Sequence, residues 1–366
     1  MQSHAPSDPL FPNLNSLELP LITKSFVSLV PLFFSSSITS IVIEFGLPVS
    51  KAAVVPVIET LTTSCPNLQT IKLYQLPKDP MITAAVSEML LVTNRNILQQ
   101  FEVSSSLTEE ASEVVYKLPN LRGLWVTVDG PGPLPTLVLP NLTTIQLDCD
   151  DDHGWLQGFS GATFGKLTSI IFNSESPSIS DFLEAFKSVA LTTSIPATLS
   201  QFEFYTSRPG RPNYRSLLPF TQLEELIIEF PCGDYCPSTI DDYIITDLAR
   251  AMPKLKILHL GAEPCETPAG ITIKGLATLA HYSPRLFQLC VHFQAASLDP
   301  RVITMPRKYC ALTNLDVGDI PVSEGSVKMV AKTLLRIFPR LNKIGSTNQM
   351  WEKVVFAIGV CKAFDD

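Results

Sequence analysis

The sequence predicts an α/β solenoid, with short parallel strands stacked along one side and irregular helices and loops along the other. Three observations predict it. An apolar-x-x-apolar-x-apolar phrase returns thirteen times along the 366 residues. Its last part alternates apolar with other residues, the period of a half-buried strand. Most of the intervals between phrases carry amphipathic helical text. A repeat that holds its phase dictates the architecture, because each unit buries its apolar edge against the next.

The phrase begins at Leu14, Ile38, Leu68, Leu98, Leu121, Leu142, Leu167, Leu199, Leu223, Leu255, Leu286, Leu312 and, in broken form, Leu341. Pro, Ser or Asn usually introduces it two or three residues earlier. The clearest copies are Leu14-x-x-Leu17-x-Leu19, Leu68-x-x-Ile71-x-Leu73, Leu255-x-x-Leu258-x-Leu260 and Leu312-x-x-Leu315-x-Val317. The steps run from 21 to 32 residues and average about 27. That average falls in the roughly 20–29-residue period of leucine-rich repeats. Each strand is too short to stand alone, so about twelve of them must stack in parallel with their apolar positions on one face.

Long steps leave room for a return helix. Ala52–Leu61, Thr83–Leu91, Thr108–Lys117, Ser180–Leu191, Ile240–Met252, Ile273–Ala280 and Val327–Ile337 read as amphipathic helices. Ser178-x-x-Asp181 and Ser238-x-x-Asp241 have capping-box spacing at two of the starts. Pro66, Pro119, Pro253, Pro284 and Pro339 stop several of them and turn the chain into the next strand. The steps from Leu121 and Leu142 lack an obvious helix, and Gly130-Pro131-Gly132-Pro133 forbids one in the first. Residues 121–167 are therefore expected to carry the fewest helices.

The phrases Phe11-Pro-Asn-Leu-Asn-Ser-Leu-Glu-Leu19 and Met252-Pro-Lys-Leu-Lys-Ile-Leu-His-Leu260 carry a family resemblance. The chain resembles an irregular cytosolic leucine-rich-repeat protein over roughly residues 11–346, in particular the repeat regions of fungal F-box/leucine-rich-repeat proteins. The F-box itself, a helical module opening with a Leu-Pro phrase, is not among these residues. The regular Asn ladder of plant extracellular receptors is also missing: Ile22, Leu76, Ser106 and Glu263 stand where that Asn would be. The resemblance implies an α/β leucine-rich-repeat solenoid, a protein partner, and a link to a ubiquitin-ligase adaptor if an F-box is encoded elsewhere.

The expected organisation is a tail over 1–10, a solenoid of about 12–13 repeats over 11–348, and a capping helix over 349–366. In that helix Trp351, Val355 and Ile358 share one face and should cover the last core layer, since a terminal repeat exposes its apolar edge. Charged residues are 17% of the chain and 45% are hydrophobic, enough for a continuous core. The net charge of −8 argues against nucleic acid or an anionic membrane as the main partner. No segment reaches the ~18 uninterrupted apolar residues of a membrane span. The first residues carry no basic start or apolar run, and eight scattered cysteines fit free thiols. A cytoplasmic or nuclear protein is the expectation.

Several motifs tempt a chemical reading. Asp148-Cys-Asp150-Asp151-Asp152-His153 resembles a calcium loop, but His153 and Phe159 stand where Gly and Glu are required. A solvated acidic turn is the expectation. Cys232-x-x-x-Cys236 lacks the second pair that structural zinc wants, although His259 and Cys265 lie one repeat on. Gly158-Phe-Ser160-Gly161 is not a nucleophile elbow, because Ala162 holds the last position. No phosphate loop and no His-Glu-x-x-His helix occurs, and Asn141-Leu-Thr143 reads as the start of a strand rather than a glycosylation site. No catalytic residue, metal ligand or cofactor is assigned.

A partner would sit on the concave face, which the non-apolar strand positions line. The central column reads Glu18, Val42, Lys72, Glu102, Trp125, Gln146, Ile171, Glu203, Ile227, His259, Cys290 and Asp316. The following column supplies Glu44, Tyr74, Ser104, Thr127, Asp148, Asn173, Tyr205, Glu229 and His292, and the preceding one Glu225. These columns hold eight carboxylates and one Lys. Tyr74, Trp125 and Tyr205 are expected to stand exposed among them, as residue types enriched in hot spots. The candidate binding set is Tyr74, Glu102, Trp125, Asp148, Glu203, Tyr205, Glu225, Glu229, His259, His292 and Asp316. Two readings of the charge stay open: recognition of a basic partner, or the ordinary solvated surface of an acidic protein. The functions they imply are a non-catalytic recognition module like the substrate-binding part of an F-box receptor, and a free-standing scaffold or inhibitor that masks a basic protein.

Overall fold

Every one of the thirteen phrases folds as a strand, and each strand begins two residues after its phrase does. The computed structural model describes residues 10–46, 49–128, 137–149, 162, 164–174, 182–184, 186–187, 195–207, 213–230, 240–261, 269–295 and 310–365. The chain divides into two compact units, residues 1–167 and 168–366.

In the first unit β1 (Ser16–Ile22), β2 (Ser40–Phe45), β3 (Thr70–Tyr74), β4 (Gln100–Ser106), β5 (Gly123–Val128) and β6 (Thr144–Cys149) pair in parallel, in chain order. In the second, β7 (Ser169–Ser174), β8 (Gln201–Thr206), β9 (Glu225–Glu229), β10 (Ile257–Leu260), β11 (Gln288–Val291), β12 (Asn314–Asp316) and β13 (Lys343–Gly345) do the same. The broken thirteenth phrase still forms a strand, β13, in keeping with the 12–13 repeats expected. This is the α/β leucine-rich-repeat architecture.

Alternation does the positioning. In β3 Ile71 and Leu73 are buried while Thr70, Lys72 and Tyr74 are half-buried; β8 and β9 follow the same rule. The apolar sides of the strands are buried, as are the inner faces of the helices α1 (Lys51–Ser64), α2 (Pro80–Val92), α3 (Glu109–Val115), α4 (Asp242–Ala251), α5 (Ile273–Tyr282), α6 (Val327–Ile337) and α7 (Met350–Asp365). In the second unit Phe182 lies 4.5 Å from Phe204, and Phe186 stacks on Phe220 at 4.9 Å. These two rings come from the expected Ser180–Leu191 helix, of which 182–184 and 186–187 are helical among the described residues.

Helix starts are capped by short polar side chains. Asp79, Thr108 and Thr272 accept from Met81, Ala111 and Lys274 N–H. The expected box at Ser238 is corrected: Asp241 itself is the N-cap, its carboxylate accepting from Ile244 N at 2.9 Å. An ionised oxygen at the positive end of a helix does this work without a second box residue. Ser238 and the Ser178–Asp181 pair fall outside the described residues. So does most of the linking chain in 121–167, where few helices were expected.

The last helix turns differently from expectation. Its buried residues are Trp351, Val354 and Ile358, while Val355 faces outward. Trp351 Nε1 donates to Ile320 O at 2.8 Å, and this anchor sets the rotation of α7. No helix among the described residues is long and apolar enough to cross a membrane.

Candidate functional site

Parallel register places the central strand positions beside one another. In the first unit Glu18, Val42, Lys72, Glu102, Trp125 and Gln146 are successive partners. In the second unit the row is Ile171, Glu203, Ile227, His259, Cys290, Asp316 and Gly345. The predicted residues divide between the units: Tyr74, Glu102, Trp125 and Asp148 in the first, and Glu203, Tyr205, Glu225, Glu229, His259, His292 and Asp316 in the second. One column is corrected. Register slips after Glu102, so Ser106 rather than Ser104 stands opposite Thr127.

The first-unit face is tied to itself. Lys72 Nζ lies 2.9 Å from Glu102 Oε1, and the Tyr74 hydroxyl donates to the other oxygen of the same carboxylate. The Tyr74 ring sits 5.1 Å from Trp125, tilted by 35°. Trp125 Nε1 then donates to Asp148 Oδ2 at 2.6 Å, and Gln146 reaches Asp148 Oδ1 at 3.4 Å. Gln75, held at φ +57°, gives its amide to Glu44 at 2.6 Å. Burial, and then the bond to Glu102, push the Tyr74 hydroxyl well above the usual phenol range. Trp125 and Tyr74 are half-buried rather than exposed. Aromatic faces and charge-assisted hydrogen bonds satisfy one another here before any partner arrives.

The second-unit face is acidic, and among the described residues no lysine or arginine is bonded to its strand carboxylates Glu203, Glu225 and Glu229. Glu203 accepts from Gln201 and, at 2.7 Å, from the hydroxyl of the half-buried Tyr205. Glu229 Oε1 lies 3.1 Å from His259 Nδ1. His259 Nε2 is shielded from solvent and has no hydrogen-bond partner among the described residues. The Glu225 carboxylate has no hydrogen-bond or ion-pair partner among the described residues, although the Glu225 backbone N donates to Ser200 O at 3.0 Å. Burial first, and repulsion from Glu203 second, raise its carboxyl above the usual range. Burial and the neighbouring carboxylates hold the Tyr205 hydroxyl protonated. From β7 to β12 no outward position is Lys or Arg.

Further along the row Cys290 Sγ lies 3.8 Å from Gly261 O, and burial pushes its thiol up to about 12. A thiol so protonated is a poor nucleophile and a poor metal ligand. Burial lowers the His292 imidazole, against the pull of Asp316, so it is neutral at pH 7. Asp316 Oδ1 accepts from Gly318 N at 3.0 Å. A side chain at Gly345 would meet this carboxylate at 3.1 Å, so the glycine gives it room. Among the described residues no group of His, Cys, Asp and Glu could hold a metal ion. Asp150–Asp152, Cys232, Cys236 and Cys265 lie outside the described residues.

Sequence reasoning missed a polar ladder at the strand starts. Asn67, Asn120 and Asn141 donate side-chain N–H to Ser36 O, Asn96 O and Pro119 O at 2.7–3.0 Å. Each stands directly before the first apolar residue of its phrase, and that recurrence was the available signal. With Gln69, Gln99 and Arg122 the last part of this ladder lines a shallow polar hollow of about 410 Å³.

No family model and no curated protein matches the chain. Among solved structures, the leucine-rich-repeat protein LegL7 from Legionella pneumophila is similar at 12% identity over 94% of this chain and 98% of that one, with a TM-score of 0.40. A protein from Bacteroides fragilis is similar at 9% identity over 90% of this chain and 74% of its own, with a TM-score of 0.35. Likeness at this level carries no functional argument. The repeat architecture rests on this chain's own phrases and strand register.

Proposed function

We propose that this chain is a non-catalytic protein-recognition module whose second-unit strand face takes a basic protein partner. One observation carries the proposal: Glu203, Glu225, Glu229 and Asp316 share a face on which β7–β12 present no Lys or Arg. Carboxylates gathered without counter-charges raise the negative potential and favour encounter with a positive surface. A Lys or Arg arriving between Glu203 and Glu225 would relieve their mutual repulsion. The half-buried Tyr205 offers contact area beside it. Carboxyl labelling with a carbodiimide, read by mass spectrometry, tests this. A lysine-rich peptide should protect Glu203, Glu225 and Glu229 more than Glu18 and Glu44. Equal protection, or none, contradicts the proposal.

The sequence resemblance supports a narrower reading, the substrate-binding part of an F-box ubiquitin-ligase receptor. Co-purification of a ubiquitin-ligase adaptor with the protein from its native cells separates this from a free-standing scaffold or inhibitor. Recovery of the basic partner without an adaptor favours the scaffold.

A further inference from the structure

Helix α6 carries the opposite sign from the protein as a whole. Its charges are Lys328, Lys332 and Arg336, all exposed, and it contains no acid. From Glu324 to Lys353 the sequence holds six basic and two acidic residues, in a chain of net charge −8. Of the two acids, Glu324 is held by Lys353 Nζ at 2.6 Å, and Glu352 stands exposed on α7. The adjacent helix α5 adds Lys274 and no acid. The ammonium groups of Lys328 and Lys332 have no hydrogen-bond or ion-pair partner among the described residues.

We infer that this basic ridge docks on the acidic strand face of a second copy, so that the protein associates head to tail. The inference rests on the reading of that face as a site for a basic partner, and it names the partner. Charge and spacing both select it. Lys328, Lys332 and Arg336 stand four residues apart, at steps of about 6 Å along a helix. On β9 Glu225 and Glu229 are also four residues apart, about 13 Å along a strand and on one side of it. Glu203 on β8 pairs with Ile227, midway between them. Three carboxylates therefore follow the strand direction at steps of about 6.6 Å. A helix laid along β9 brings one basic residue to each. Within one copy no Lys or Arg of α6 is bonded to these carboxylates, so a second copy must supply the ridge. The two surfaces differ, and such a heterologous contact builds open chains or rings rather than a two-fold pair. At physiological ionic strength a Debye length of about 8 Å screens the net repulsion between copies but not charges in contact. A contact centred on a helix of 11 residues, about 16 Å long, falls short of the standard interface of about 1,600 Å². The association is therefore weak, and a basic partner on the same face displaces it.

Sedimentation equilibrium of the full chain at about 0.15 M salt, from low- to high-micromolar concentration, tests the inference. The wild type should form concentration-dependent oligomers that a lysine-rich peptide disperses. Lys328→Glu with Lys332→Glu, and Glu203→Lys with Glu225→Lys, should each weaken association by about tenfold or more. Mixed in equal amounts, the two variants should associate again, because each offers the charge that the other has lost. Recovery in the mixture separates loss of contact from loss of fold. A wild type that stays monomeric throughout, a variant that associates unchanged, or a mixture that stays monomeric overturns the inference. Carbodiimide labelling of the wild type tells this failure from that of the underlying reading. Protection of Glu203, Glu225 and Glu229 by the lysine-rich peptide, without self-association, overturns the inference alone. Absence of protection overturns the reading of the face and the inference with it.

Discussion

The two strand faces are built on the same backbone register and differ in what their side chains do with their charge. On the first, Lys72, Tyr74, Glu102, Trp125, Gln146 and Asp148 form one continuous set of contacts across four strands. On the second, Glu203, Glu225 and Glu229 lie near one another with no lysine or arginine between them among the described residues, and burial, then repulsion from Glu203, raises the Glu225 carboxyl. A satisfied polar network adds stability and offers a partner little. An uncompensated one costs stability and leaves attraction unspent. This difference is the ground on which we propose recognition for the second face and architecture for the first.

Core truncation sets the scale against which either face is judged. Trp351→Ala should cost about 3–5 kcal/mol in urea unfolding, because it removes a large buried ring. Deleting residues 349–366 should expose the last core layer and lower solubility. Unchanged melting and solubility would contradict the capping role we propose for α7. On the first face, Trp125→Ala should cost about 2 kcal/mol, from the lost Tyr74 contact and the bond to Asp148. A neutral result would return Trp125 to the exposed hot-spot role expected from sequence. Lys72→Met should cost about 1 kcal/mol, since it leaves half-buried Glu102 with Tyr74 alone.

The second face should respond in the opposite direction, and with pH. The Glu225 carboxyl titrates above the ordinary glutamate value when folded, so its ionised form is disfavoured in the native state. That cost is absent below the ordinary value of about 4.3 and sets in as pH rises through the raised one. Glu225→Gln should therefore raise the melting temperature slightly at pH 7 and leave it unchanged near pH 4. A variant less stable at pH 7 would show that Glu225 has a stabilising partner.

Strand positions were legible because period two and a fixed phase leave no freedom: a slip of one residue would turn Ile71 and Leu73 to solvent. Helix Val327–Ile337 was legible to the residue for a similar reason, with a strong apolar stripe and a proline after its end. The rotation of α7 was not. Trp351–Val354–Ile358 and Trp351–Val355–Ile358 are both acceptable helical stripes, and a backbone carbonyl at Ile320, invisible to periodicity, chose between them. The columns of the candidate site were readable, but not their pairing. Whether Trp125 stands free or lies on Tyr74 depends on rotamers across neighbouring repeats, and sequence spacing carries no record of that.

The most direct test of the division between faces is a matched pair of charge reversals. Glu203→Lys with Glu229→Lys, and Glu18→Lys with Glu44→Lys, change net charge equally on the second and first faces. Association with a lysine-rich peptide would be followed by stopped flow as ionic strength is varied. The second-unit pair should slow association by about tenfold or more and flatten its salt dependence, while the first-unit pair has a much smaller effect. Equal slowing by both pairs would reduce the effect to net charge, and no slowing by the second-unit pair would contradict the assignment of that face to recognition.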